Sequence, residues 1–347
     1  MINIKNQIKK KIDKEKIYLQ ENWFLVGAKS EFEKKNNFKT FNIFNQPIII
    51  YKFKDKIKAF TNICPHRGSN IKDECRGNSV FNCIYHGWAF NSKGNFISAP
   101  YKDKAFPIQN IKNKKLTEWK LDFCNNLIFI TKSNNKTSLK NFLGRSYKKL
   151  FELSDALNTH FSSKKFTWKC NWKLSIENAI DEYHAPILHK ETFGKTLELN
   201  PTYNFQKKIL SIKLPLNQGY LQSLKNNQKI FEKPMIDKYF NHYLFFPNTT
   251  FASTVGIFSF LQTYFPISEN ETSVTTDIFL SKTKVNKNNK YLIENMQLLA
   301  KKFNEIVFNQ DRAIAENLHK NISNNFIFSN FGNYERRIKK FRKLLKS

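Results

Sequence analysis

The chain changes rhythm along its length. Between residues 38 and 131 the apolar positions come in short runs separated by turn residues. Residues 46–53 (QPIIIYKF) and 57–63 flank the turn Lys54-Asp55-Lys56, and residues 89–95 carry the turn Ser92-Lys93-Gly94, which predicts a small β-domain. From residue 138 to 157, Leu139, Phe142, Leu143, Leu150, Phe151 and Leu157 recur mainly at helical spacing, predicting a connecting helix with a domain boundary just before it. After Cys170 a helix is expected to begin near Ser175. Strand-like segments at 209–214, 242–246, 257–265 and 273–279 then predict an antiparallel sheet. Residues 291–318 place Leu299, Phe303, Val307, Ile314 and Leu318 on one stripe of a long helix that would cover it. The expected class is α+β, divided into a segment 1–37 packing on the C-terminal domain, a β-domain 38–131 and an α+β domain 132–347. No internal repeat or low-complexity linker interrupts this order.

Composition supports a folded chain and excludes disordered and disulfide-stapled classes, because hydrophobic residues make up 40% of 347 and Phe alone contributes 34. A net charge of +30, from 58 Lys and Arg against 28 Asp and Glu, would ordinarily raise a nucleic acid or an anionic membrane as partner. Here the charge is dispersed. Lys, Asn, Ile, Phe and Tyr are all abundant, with pairs such as Asn36-Asn37, Asn125-Asn126 and Asn288-Asn289, and these are the residues of AT-rich codons. The expectation is therefore solvated lysines, with no nucleic acid and no membrane as partner. Residues 336–346 form the one dense basic stretch, read as a solvated tail. Residues 1–20 contain no apolar signal-peptide core, and no run approaches the roughly 20 apolar residues of a spanning helix, so a cytoplasmic location is expected. Five cysteines in unequal surroundings argue against a disulfide framework and turn attention to metals.

Residues 64–68 read Cys-Pro-His-Arg-Gly and residues 83–88 read Cys-Ile-Tyr-His-Gly-Trp. Cys64, His66, Cys83 and His86 on a pair of loops suit either a structural zinc or a Rieske cluster, in which two His replace two Cys on one iron. A cluster needs loop backbone around its sulfurs, and Gly68 and Gly87 permit tight loops. Cys75, Cys124 and Cys170 match no ligand position and read as core or surface residues.

The second constellation lies in residues 171–189, NWKLSIENAIDEYHAPILH. On one helix Asn178, Asp181 and His184 would share a face, whereas His189 would sit roughly 140° away from His184. Pro186 is expected to break the helix between the two histidines, letting both imidazoles converge on one metal. A carboxylate would complete a two-His-one-carboxylate triad with open positions on Fe(II). Asp311, in line with Phe303 and Val307 on the long helix, is the candidate. Spacing alone leaves a buried salt bridge or an exposed helical turn equally open, and Glu305 and Glu316 on the same helix are the next carboxylates to consider.

The loops around Cys64 and Cys83, with Pro65, Arg67, Tyr85 and Trp88, resemble those of Rieske proteins. N-W-K-x3-E-N-x2-D-x-Y-H-x4-H and the later Q-D-R-A-I-A-E resemble the catalytic-domain motifs of Rieske-type ring-hydroxylating oxygenase α subunits. The resemblance runs from Trp23 to about His319. It departs at Gln310, where many relatives carry Glu, and at His319, where many carry Gln.

The resemblance implies a Rieske β-domain followed by a helix-grip catalytic domain. It implies one [2Fe–2S] cluster on Cys64, His66, Cys83 and His86, and one Fe(II) on His184, His189 and Asp311. Asp181, with Asn178 beside it, matches the residue that bridges the cluster of one subunit to the iron of the next, contacting by position His86 and His184. The implied activity is O2-dependent hydroxylation or oxidative dealkylation of a small organic substrate of aromatic or quaternary-amine type, in a homotrimer with or without a second subunit type. No G-x-G-x-x-G fingerprint is present, so electrons would come from a separate NAD(P)H-linked reductase or a ferredoxin. The rival readings are a pure electron-transfer Rieske protein, which leaves some 200 residues without a role, and a zinc-bearing nucleic-acid module, which leaves the second constellation unexplained. Tyr243, Phe245, Phe246, Phe251, Phe258 and Phe260 could line a substrate pocket or form a cation–π cage, though alternating strand aromatics are usually core.

Overall fold

The computed structural model describes residues 22–43, 46–105, 113–232, 235–284, 286–323 and 331–346. Residues 1–21 of the expected N-terminal segment lie outside this set. The chain divides into two compact units: the described residues up to Phe123 with Ile128–Phe142, and Cys124–Leu127 with everything from Leu143. The division falls within the stretch read as a connecting helix. That stretch is not one helix. It forms Leu139–Leu143 and Ser146–Leu153, interrupted at Gly144, whose φ of 49° is incompatible with a continuing right-handed helix.

The first unit is built on strands β1 (Phe24–Ala28), β2 (Asn37–Ile43), β3 (Gln46–Lys52), β4 (Ile57–Thr61), β5 (Arg76–Asn78), β8 (Glu118–Cys124) and β9 (Leu127–Thr131). They form a sheet in the order β1-β9-β8-β4-β3-β2-β5, and β6 (Ala89–Phe90) and β7 (Phe96–Ser98) form a separate hairpin. Strand β3 does not alternate: Ile48, Ile49, Ile50 and Tyr51 are all buried, so both of its faces are covered. One face supports the cluster loops, packing Ile49, Tyr51 and Phe60 with Phe81, Trp88 and Phe90.

In the second unit, β10 (Thr159–Trp168), β11 (Thr202–Gln206), β12 (Ile209–Pro215), β13 (Tyr239–Phe245), β14 (Thr249–Thr254), β15 (Phe258–Pro266) and β16 (Thr272–Leu280) form an antiparallel sheet ordered β10-β16-β15-β14-β13-β12-β11. With its helices this is the expected α+β layout. Four helices matter for the site: α1 (Trp172–Ala179), α2 (Ala185–Leu188), α3 (Lys290–Ser323) and α4 (Arg336–Lys346). Helix α3 packs on β10, β16 and α1.

Its buried stripe is Ile293, Ala300, Asn304, Val307, Phe308, Asp311 and Ala315, while Leu299 is 65% exposed and Ile314 lies at the margin. The i, i+4 series Leu299–Phe303–Val307–Asp311 drifts by about 40° per step, which leaves Leu299 about 120° from Asp311 and outside the stripe. The basic stretch 336–346 is likewise not a solvated tail. As helix α4 it buries Arg337, Ile338 and Phe341, with Phe341 set against Trp172 and Phe246. Three apolar or paired side chains at helical spacing outweigh the lysines, which face outward. No helix among the described residues is long and apolar enough to cross a membrane.

Candidate functional site

The two cysteine loops of the first unit are near copies of each other. Cys64 N–H donates to Ser69 O (2.7 Å) and Gly68 N–H to Cys64 O (2.9 Å); Cys83 N–H donates to Trp88 O (2.8 Å) and Gly87 N–H to Cys83 O (3.0 Å). Both glycines have positive φ, 79° and 66°, and a Cβ on Gly87 would meet Pro100 at 3.0 Å. Buried Asn62 fastens the base of the first loop: Nδ2 donates to Lys72 O (2.7 Å), and Oδ1 accepts from Ile71 and Lys72 N–H (both 3.1 Å). The folding brings like with like. The rings of His66 and His86 lie 4.8 Å apart, with His66 stacked on Trp88 at 4.5 Å.

Cys64 and Cys83 are both buried. Burial pushes the Cys64 thiol up to about 11, with the neighbouring Cys83 thiol adding to the effect. The Cys64 thiol thus resists ionisation, and a metal cluster removes that resistance by supplying positive charge. Burial and the His86, Arg67 and Lys114 charges push His66 down, keeping the ring neutral as a ligand requires. Paired thiols and paired rings fit a [2Fe–2S] cluster that takes two thiolates on one iron and two imidazoles on the other. Cys75 is exposed, and Cys124 and Cys170 are buried.

In the second unit Asn171 caps α1, its side chain accepting from Lys173 N–H (3.1 Å). The helix ends at Ala179, earlier than expected, so Asp181 and His184 lie beyond it and Pro186 does not supply the break. Asp181 does: its Oδ1 accepts from Tyr183 N–H (2.9 Å), a local turn that competes with helix. Pro186 instead sits in the first turn of α2, where its missing N–H costs nothing. His184 and His189 are the two capping residues of that one-turn helix. Its brevity is what turns both rings toward the same point.

That point is Asp311 on α3. His189 Nε2 lies 3.1 Å and His184 Nε2 3.4 Å from Asp311 Oδ1, and the two Nε2 atoms are 3.2 Å apart. Asp311 is 8% exposed, and among the described residues its Oδ1 makes no hydrogen bond of good geometry. Burial alone would push the Asp311 carboxyl up, but the two imidazoles more than offset it and hold it at about 2.

The far nitrogens are held as well. Asp181 Oδ2 lies 3.1 Å from His184 Nδ1 and Gln310 Oε1 2.8 Å from His189 Nδ1. Both oxygens accept, so the Nδ1 atoms carry protons and the Nε2 atoms are the ones turned toward Asp311. Two imidazoles and a carboxylate converging on one point fit a divalent metal, which would take the place of the His184 proton. Gln310, noted in the sequence only as a departure, is thus a positioning partner of His189.

The triad opens into a cavity of about 430 Å³. Alternation on the sheet decides its lining: Phe258, Phe260, Gln262 and Tyr264 of β15 and Phe240 and His242 of β13 face it. Of the six aromatics proposed from sequence, Phe258 and Phe260 line it. Tyr243, Phe245 and Phe251 sit at the opposite parity and Phe246 packs on Phe341, so these four are core. Asn178 also lines the cavity, with a buried Nδ2 that has no hydrogen-bond partner among the described residues.

Sequence reasoning missed one group in the cavity wall altogether. Arg337 donates through Nε and Nη2 to Glu182 Oε2 (both 2.9 Å), and its Nη1 lies 3.0 Å from His242 Nδ1.

Comparison with known proteins agrees with this geometry. The profile of the ring hydroxylating alpha subunit (catalytic domain) family matches residues 154–347, and that of the Rieske [2Fe-2S] domain matches residues 22–117. The anthranilate 1,2-dioxygenase large subunit of Burkholderia cepacia is 27% identical over 51% of this chain and 44% of the relative. The carnitine monooxygenase oxygenase subunit of Escherichia coli (strain K12) is 25% identical over 81% of this chain and 74% of the relative. The chain spans less than half the length of the first curated relatives it matches.

Among solved structures, a quaternary ammonium Rieske monooxygenase superposes with a TM-score of 0.74 at 21% identity, covering 96% of this chain and 90% of the other. Naphthalene 1,2-dioxygenase gives 0.65 at 18% identity, covering 89% and 78%. These two share the fold. The matched domains imply a [2Fe–2S] cluster and a mononuclear non-heme iron as cofactors. With the catalytic profile covering more than half of the sequence and the Rieske profile preceding it, the chain belongs to the family of ring-hydroxylating oxygenase α subunits.

Proposed function

We propose that this chain is the catalytic subunit of a Rieske oxygenase that uses O2 to hydroxylate or oxidatively dealkylate a small organic substrate of aromatic or quaternary-amine type. The observation that carries the reading is the meeting of His184, His189 and Asp311 at the edge of an apolar cavity. In this reading Cys64, His66, Cys83 and His86 hold the cluster, and His184, His189 and Asp311 hold the iron. When bound, the iron supplies a centre for dioxygen and the cluster supplies an electron.

The chain's own residues do the rest. Asp181 and Gln310 fix the two ring orientations, Asp311 contributes the negative charge, and the aromatic walls exclude water. Asn178 offers an amide N–H to a bound molecule. Asp181 keeps 21% of its side chain exposed, consistent with the reading that it connects the iron ligand His184 to the cluster ligand His86 of a neighbouring copy in a homotrimer. Electrons would be delivered by a separate reductase or ferredoxin.

The test is composition followed by turnover. The oxygenase should carry about three Fe and two acid-labile sulfides per chain. Substrate-stimulated O2 uptake with a surrogate reductase should then appear within a panel of aromatic and quaternary-amine compounds. Two Fe per chain and no stimulated uptake would instead identify an electron carrier.

A further inference from the structure

His242 lies in the cavity wall on β13, 7% exposed, with the apolar residues Ile212 and Ala252 as its cross-strand neighbours. Its Nδ1 is 3.0 Å from Arg337 Nη1. A guanidinium can only donate, so Nδ1 accepts, and a neutral ring then carries its proton on Nε2. Burial and the Arg337 charge both hold the imidazolium far below its ordinary range, so the ring stays neutral. Arg337 is fixed in turn by Glu182, both side chains being 1% exposed. The three side chains therefore sum to no charge, and all three line the cavity.

The geometry points to His242 as a fixed hydrogen-bond donor inside the cavity, positioning a small, largely apolar molecule through a neutral acceptor oxygen such as a carbonyl or ether. A carboxylate would find Arg337 already neutralised by Glu182, and a cation, quaternary or not, would meet the positive end of the N–H dipole. A neutral acceptor satisfies the N–H without adding a charge to an apolar chamber. The inference rests on the oxygenase reading for the cavity being the substrate chamber, and it narrows the substrate class proposed there.

Two measurements on the full-length, cluster-loaded protein test it. Long-range 1H–15N spectra of 15N-histidine-labelled protein at pH 7 should show one neutral ring protonated on Nε2, identified by its loss in His242→Phe. In isothermal titrations, the planar isosteres acetophenone and α-methylstyrene differ in the acceptor oxygen. The preference of the wild type for acetophenone over α-methylstyrene should fall by roughly fivefold in His242→Phe and be largely kept in His242→Gln, whose amide N–H reaches toward the Nε2 position.

The inference is overturned by a ring protonated on Nδ1 or on both nitrogens, by a preference that is the same in wild type and His242→Phe, or by failure of both probes to bind the wild type. Neither readout uses O2 or turnover. A chain that lacked oxygenase activity would fail the O2-uptake test while leaving both readouts unchanged.

Discussion

Iron binding at the His184–His189–Asp311 triad should release a proton, and Asp181 should set the pH at which it does so. Burial pushes the His184 imidazolium down, but Asp181 and Asp311, at 3.1 and 3.4 Å, more than offset it and hold its pKa up at about 9. Asp311, held at about 2, stays ionised throughout the neutral range. A raised histidine pKa means that the protonated ring stabilises the metal-free fold fully below its ordinary value of about 6.5, and that this contribution is lost as pH rises through about 9. Iron needs the neutral ring and so competes with that proton. Between pH 9 and pH 7 the apparent Fe(II) affinity should fall by roughly a hundredfold, about tenfold per unit.

Asp181→Asn keeps an oxygen that can accept from His184 Nδ1 but removes one of the two carboxylate charges. The pKa should then move down, and the steep window should move with it to lower pH. Anaerobic titration calorimetry in buffers of different ionisation enthalpy counts the protons. The wild type should release about one per Fe(II) at pH 7.5, and the variant clearly fewer. A wild-type affinity that is flat from pH 7 to 8.5, or an identical slope in Asp181→Asn, would refute the reasoning.

Cys64→Ser or Cys83→Ser should abolish the Rieske EPR signal after reduction, and a full signal in either variant would remove that thiol from the ligand set. Asp311→Ala should retain the cluster spectrum yet lose mononuclear Fe(II) and turnover, and the rise in melting temperature that Fe(II) gives the wild type should vanish. Normal iron binding in that variant would move the carboxylate ligand elsewhere, with Glu305 and Glu316 next in line. Phe341→Ala empties a fully buried site between Trp172 and Phe246 and should cost about 3–5 kcal/mol by chemical denaturation. A cost under about 1 kcal/mol would mean that helix α4 is not part of the folded core.

The cluster loops were legible because their chemistry is local. A cysteine with a glycine four residues on and a histidine between them describes one turn, and the structure forms that turn at both places. Asp311 was legible as a carboxylate in line with Phe303 and Val307, although the stripe around it was drawn too far toward Leu299. What failed depended on contacts distant in sequence or on competing local bonds. Strand β10 reads THFSSKKFTW, and its mostly polar, half-buried and exposed residues gave no apolar run to detect. The end of α1 depends on a side-chain hydrogen bond of Asp181, which periodicity does not see. Glu182, His242 and Arg337 come together across 155 residues, and Arg337 lay hidden because its neighbours are lysines and arginines.

Only seven of the 58 basic residues are arginines. Four of them have defined partners among the described residues. Arg76 pairs with Glu31, Arg336 lies over the Tyr203 ring at 4.7 Å, Arg337 holds Glu182 and His242, and Arg342 grips both oxygens of Glu177 at 2.7 and 2.6 Å. The planar fork suits such fixed pairs, whereas the ammonium of lysine is a strongly hydrated point charge. The large positive charge is thus separable from the architecture. An engineer could swap exposed lysines for glutamines or glutamates, altering solubility and ion-exchange behaviour, and leave the cavity as it is. A lysine placed at 337 would keep the same net charge and lose the forked grip on Glu182 and His242 in the cavity wall.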